Sequence, residues 1–172
     1  DVRHDYDGHR CSHRKAHNIY GMQMARATYQ GLKKFSYPKR PFAITRAAYS
    51  GTQRYTSTWT GDNVATWEHL TIANIQAQRM CMSGFSFVGS DIGGFAEQPN
   101  GELFARWIQL GIFHPFCRTH SSGDHGDQEP WTFGTNITDI VRKFIEIRYQ
   151  LLPYLYTAFW RYANEGIPIL KS

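Results

Sequence analysis

The chain has 172 residues, of which 41% are hydrophobic, 15% aromatic and 19% charged. At roughly 100–200 residues per domain this is a single domain, and it is too short for a complete eight-unit βα barrel of about 250 residues. The aromatic content excludes a disordered chain, and no apolar run approaches the roughly 20 residues of a membrane helix, so no membrane association is expected.

The net charge of +5 gathers in residues 3–15 and at Lys33, Lys34, Lys39 and Arg40. Without a nucleic-acid recognition motif, this reads as a solvated surface, and no nucleic-acid partner is expected. Cys11, Cys81 and Cys117 are an odd number with no CxxC pair, which argues against a disulfide framework. The chain opens on Asp1 without a secretory or transit segment, as in a mature chain or a fragment.

Residues 1–15 are polar and rich in His, without periodicity, and read as a loop. Apolar spacing predicts a helix over 19–32, ended by the Ser-Tyr-Pro segment at 36–38, because proline disfavours helix at the residue before it. Residues 42–45 and 55–59 read as strands. Asp62 or Asn63 is a candidate cap for a helix over 64–82, which Gly84 stops. A third strand is expected over 85–89, a helix over 102–112 and a fourth strand over 114–118. A polar loop fills 119–130.

A last helix spans 137–164. Its expected buried stripe is Ile137, Ile140, Val141, Phe144, Ile145, Leu151, Leu152, Leu155, Tyr156 and Phe159, with Pro153 kinking or splitting it. Trp67, Trp107, Trp131 and Trp160 read as packing residues. Strands alternating with helices imply a parallel sheet, either about half of a βα barrel or an open flavodoxin-like sheet. No phosphate-binding glycine motif follows a strand, so no nucleotide cofactor is expected.

In such folds ligands bind at the carboxyl ends of the strands. The exits here carry Arg46, then Thr60-Gly61-Asp62-Asn63, then Ser90-Asp91-Ile92-Gly93-Gly94-Phe95, then Arg118-Thr119-His120. Two carboxylates on adjacent strand ends beside Trp and Phe suit a sugar-cleaving site. One carboxylic acid protonates the leaving oxygen, and a second attacks the anomeric carbon or activates water. His13 and His17 have the spacing of a metal pair, but the cluster with His4, His9 and Cys11 lacks the remaining pattern of a zinc site, so no metal is assigned.

The run from Arg46 through Trp59 to Asp62-Asn63 resembles the acid/base region of glycoside hydrolase family 31, the α-glucosidase family. Phe87-Val-Gly-Ser-Asp91-Ile-Gly-Gly-Phe95 and Pro115-Phe-Cys-Arg118-Thr-His120 resemble its following signatures. His17-Asn-Ile-Tyr-Gly, Gln128-Glu-Pro-Trp and Arg148-Tyr-Gln-Leu-Leu-Pro-Tyr-Leu-Tyr also match, in order.

The resemblance implies an α/β fold, a partial TIM (β/α)8 barrel of roughly the last four βα units. Residues 1–172 would be a fragment of one catalytic barrel domain whose nucleophile-bearing half is absent. It implies retaining hydrolysis of α-linked glucosides, without a cofactor, with an oligosaccharide or polysaccharide as substrate. Asp62 is the implied general acid/base. Arg46, Trp59, Asp91, Phe95, Arg118 and His120 are the implied substrate-binding residues.

The family's nucleophile lies in a Trp-x-Asp-Met-Asn-Glu motif that this sequence lacks. Asp1, Asp5 and Asp7 are poor substitutes. The acid form of Asp62 is expected to be favoured by burial and by the neighbouring anionic nucleophile. The isolated chain is expected to be inactive and, with open sheet edges, to self-associate. α-Xylosidase or transglycosylase activity of the same family, or a non-catalytic carbohydrate-binding role, are the alternatives.

Overall fold

The computed structural model describes residues 2–5 and 8–171, so Asp1 and Asp7 lie outside the described residues. The chain divides into two compact units, Asp1–Thr58 and Trp59–Ser172.

The first unit opens with β1 (Arg3–His4) antiparallel to β2 (Cys11–Ser12), Arg3 opposite Ser12 and His4 opposite Cys11. This corrects the expectation of a loop over the whole of 1–15. A two-residue ribbon is too short to show an alternating pattern. His4 Nε2 lies 2.9 Å from His13 Nδ1, which ties the ribbon to the helix that follows.

That helix, α1 (His13–Phe35), begins earlier than the apolar spacing indicates. Its first turn is mostly polar and solvent-facing, and such a turn leaves no apolar period in the sequence. It ends as expected before the proline, with the Ser36 amide donating to Leu32 O at 2.9 Å. Gly21 lies against the 46–47 loop: a Cβ there would meet Ala47 Cβ at 2.6 Å. Glycine in His-Asn-Ile-Tyr-Gly therefore allows α1 to approach the segment that carries Arg46. β3 (Ile44–Thr45) and β4 (Ser57–Thr58) pair in parallel, Ile44 opposite Ser57. Both are shorter than the strands expected over 42–45 and 55–59.

In the second unit α2 (Trp67–Met82) is capped by Thr66, whose hydroxyl accepts from the His69 amide at 3.2 Å. Neither Asp62 nor Asn63 is the cap. Residues 63–65 instead pair with 95–96: Ala65 N donates to Ala96 O at 2.9 Å, and Val64 forms a parallel bridge with Ala96. A tertiary bridge thus delays the start of the helix. Thr66→Ala is expected to cost about 1 kcal/mol of stability, the usual loss of an N-cap. Asp62→Ala should show no capping loss. Denaturation midpoints of the two variants check this.

β5 (Asp91–Ile92) pairs in parallel with β6 (Arg118–Thr119), Asp91 opposite Arg118. The ladder sits further along the chain than the expected 85–89 and 114–118. Residues 85–89 make isolated contacts, Phe116 N to Val88 O at 3.1 Å and Thr60 N to Gly89 O at 3.1 Å, and not a continuous ladder.

Between these strands runs α3 (Gly101–Gly111), capped by Asn100, whose side chain accepts from Leu103 N at 2.8 Å. Its buried Leu103, Phe104, Trp107 and Ile108 form the main core with Ala73, Ile92, Ile112 and Val141. Trp107 is fully buried, and its indole N–H donates to Ser90 Oγ at 2.9 Å.

α4 (Thr135–Glu165) runs unbroken through Pro153, so the proline does not split it. Of the expected stripe, Val141 and Leu155 are buried, whereas Ile145, Leu152 and Tyr156 are exposed. Trp67, Trp131 and Trp160 are exposed as well. Helical periodicity groups residues on a face without stating what that face meets. Arg148 spans inward from α4 and donates to the backbone oxygens of Ile112, His114 and Pro115, the last at 2.9 Å. This guanidinium organises the turn that leads into β6. Burial and the neighbouring Arg148 charge push the buried His114 imidazole down to about 4, so it stays neutral. The three cysteines are free. Among the described residues, no helix is long and apolar enough to cross a membrane.

Candidate active site

The parallel pairing of β5 with β6 places Asp91 directly beside Arg118. Asp91 is completely buried, and its Oδ1 accepts from Arg118 Nη2 at 3.0 Å and Nε at 3.3 Å. Arg118 is largely buried too, its guanidinium carbon 5.3 Å from the Trp59 ring centroid and 5.1 Å from that of Phe116. Such stacking of a weakly hydrated guanidinium on aromatic faces is favourable and fixes its plane.

Burial pushes the Asp91 carboxyl above the ordinary carboxylate range. The Arg118 charge and hydrogen bond, and His120, pull it down, while the Asp62 charge adds to the rise. Asp62, Asp91, Arg118 and His120 therefore share one electrostatic environment. Asp91 Oδ2 is buried without a hydrogen-bond partner among the described residues.

Asp62 sits in a tightly held turn. The Thr60 hydroxyl donates to Asn63 Oδ1 at 2.7 Å, and Asn63 N donates to Gly61 O at 3.0 Å. The Asn63 carbonyl accepts from both Phe95 N, at 2.6 Å, and Ala96 N, at 3.0 Å. The backbone on either side of Asp62 is thus anchored, while Asp62 itself is exposed. The burial expected for this acid is not observed in this chain.

Phe95 and His120 face each other with ring centroids 5.3 Å apart. Six of the seven expected site residues, Trp59, Asp62, Asp91, Phe95, Arg118 and His120, lie in the second unit. Arg46 follows β3 in the first unit and is exposed.

Sequence reading missed the supporting residues. Asn63, a candidate cap at a strand exit, instead joins the Asp62 turn to the Phe95 backbone. Ser90 holds the Trp107 indole next to Asp91. Gln128, inside Gln-Glu-Pro-Trp, donates from Nε2 to Gly94 O at 3.0 Å. Polar residues of this kind leave no periodic signal; only their place next to strand exits marks them.

The profile of the Glycosyl hydrolases family 31 TIM-barrel domain matches residues 1–158. The chain is 47% identical over 170 residues to Alpha-glucosidase 2 of Bacillus thermoamyloliquefaciens, covering 99% of this chain and 22% of that protein. It is 46% identical over 160 residues to Glucosidase 2 subunit alpha of Saccharomyces cerevisiae, covering 92% of this chain and 17% of that one. A crystal structure of a glucosidase II alpha subunit superposes with a TM-score of 0.89 at 40% identity, covering 93% of this chain and 18% of the other. The chain spans about a fifth of the length of these relatives. It belongs to glycosyl hydrolase family 31, as α/β sequence of that family's TIM-barrel domain.

Proposed function

We propose that this chain is roughly the last four βα units of a single catalytic barrel. The protein that contains it hydrolyses α-linked glucosides with retention of configuration. The observation that carries this reading is the buried Asp91–Arg118 pair at adjacent parallel strand ends, stacked on Trp59 and electrostatically coupled to Asp62. The α-glucosidase names of the relatives support the substrate class.

In this mechanism Asp62 is the general acid/base. Protonated, it donates to the glycosidic oxygen as a carboxylate from residues outside this chain attacks the anomeric carbon. The glycosidic C–O bond breaks, and a glycosyl–enzyme ester forms. Asp62, now ionised, takes a proton from water as that water attacks the anomeric carbon, releasing the sugar and restoring the nucleophile. For retention the two carboxyl groups stand about 5–5.5 Å apart.

Asp91, buried beneath the site, positions the Arg118 guanidinium, and Arg118 and His120 donate to sugar hydroxyls. Trp59 and Phe95 offer apolar faces to the C–H side of the ring. The role of Arg46 in sugar binding rests on the family resemblance alone.

The test is to express the longest reading frame that contains this chain, alongside the isolated 172 residues, and to assay both on α-glucosides. The full-length protein is expected to turn over substrate and the isolated chain is not. A full-length protein without α-glucoside turnover contradicts the reading, and turnover by the isolated chain contradicts the external nucleophile.

A further inference from the structure

Asp91 and Phe95 are separated by Ile92, Gly93 and Gly94, the two glycines with φ of +90° and +89°. Two successive residues in this region make a sharp reversal that side chains other than glycine rarely adopt. The turn is closed by Gly94 N donating to Asp91 O at 3.0 Å. One side of it is pressed against residue 65: a Cβ on Gly94 would meet Ala65 Cα at 2.6 Å. Its other side meets Gln128.

Gln128 is 9% exposed, and its Nε2 donates to the Gly94 carbonyl at 3.0 Å. Its Oε1 lies 3.1 Å from where a Gly93 Cβ would stand, so the glycine makes room for the amide. The 119–130 loop makes other contacts to the 94–98 segment. Ser122 N donates to Phe95 O at 2.9 Å, Gln98 Nε2 to Asp127 O at 3.1 Å, and Glu97 N to His125 Nε2 at 2.8 Å. The two side-chain bonds among these are exposed, where water substitutes for a lost partner. The Gln128 bond is buried, where water does not.

We infer that Gln128 is a positioning residue: its buried amide fixes the Gly93–Gly94 reversal and so sets the spacing between Asp91 and Phe95 across the sugar pocket. This rests on the proposed α-glucosidase reading. A misplacement of about 1 Å in such a pocket costs on the order of 100-fold in rate.

The test uses two variants of the full-length protein, with active-site concentration and melting temperature measured for each. Gln128→Met keeps the length and removes the donor. It is expected to lose roughly 10- to 100-fold in kcat/KM per active site, with KM for a simple α-glucoside raised. Gln128→Glu keeps the shape, and its carboxyl donates to Gly94 O only when protonated. Its kcat/KM relative to the parent is expected to fall as pH rises, whereas the Met variant's relative loss stays flat.

Parental kcat/KM in the Met variant, or a pH-independent ratio in the Glu variant, overturns the assignment. If the Met variant fails to fold, the pH trend of the Glu variant decides. An inactive parent overturns the α-glucosidase reading itself, and this inference with it.

Discussion

Asp62→Ala in the full-length protein is expected to lower kcat/KM for a natural α-glucoside by about 10²- to 10⁴-fold, the usual worth of a positioned general acid/base. The loss depends on the leaving group. In the proposed mechanism a natural sugar alkoxide needs the proton that Asp62 supplies, so bond cleavage is expected to suffer fully. A fluoride or dinitrophenolate departs without it, and formation of the glycosyl–enzyme is then nearly spared.

Hydrolysis of the intermediate still needs a base. A glycosyl–enzyme should therefore accumulate with such substrates, and an added anionic nucleophile such as azide should relieve the block. Steady-state rates on the two substrate types, with and without azide, check this. Equal losses on both types, with no azide effect, argue that Asp62 serves binding and not proton transfer. Because Thr66 caps α2, the substitution tests chemistry without removing a helix cap.

Arg118→Met is expected to cost the barrel domain about 3–5 kcal/mol, because it leaves a completely buried carboxylate without its partner. The sign of the pH dependence follows from Asp91. Burial already raises its carboxyl above the ordinary value, and Arg118 is the main opposing influence. A carboxyl raised in the folded state binds its proton more tightly there than when unfolded. Its contribution to stability therefore falls as pH rises from the unfolded value through the folded one.

Removing Arg118 raises the carboxyl further and deepens that fall. The destabilisation of Arg118→Met should be largest near neutral pH and shrink in acid, as the buried Asp91 takes up its proton in the folded state. Denaturation midpoints of parent and variant across pH 4–8 test this (a range chosen to span the carboxyl's titration). A difference that grows in acid contradicts it. Catalysis should fall as well under the proposed role of Arg118 as a donor to sugar hydroxyls.

The helices were largely legible in the sequence, for specific reasons. The helix expected over 102–112 is α3 (Gly101–Gly111), and Trp107 belongs to its core as expected. The Ser-Tyr-Pro segment ends α1. Strand positions were less legible. Each ladder is only two residues long, and strand-like segments such as 85–89 form no continuous ladder. The start of α2 was misplaced because 63–65 form a bridge with 95–96, a tertiary contact that local propensity does not contain.

In the site, residue types at strand exits point to Asp91, Arg118 and His120; the β5–β6 pairing sets Asp91 opposite Arg118, and the His120 ring lies 5.3 Å from that of Phe95. What the sequence did not show was how the loops are held. Asn63 O receives two amides, and Gln128 braces a double-glycine turn. Such bonds join segments far apart in the chain and follow no period. Nor did the sequence foretell that Trp67, Trp131 and Trp160 are exposed, since an indole in a helix pattern reads the same on either face.

The most direct test of the central claim is the configuration of the first product. Proton NMR during early hydrolysis of an α-glucoside by the full-length protein distinguishes the two anomers before mutarotation mixes them. Double displacement with Asp62 as acid and then base predicts α-glucose first, with the β anomer appearing only as the solution equilibrates. β-Glucose appearing first would contradict the account, because it requires a single displacement by water and no covalent intermediate for Asp62 to resolve.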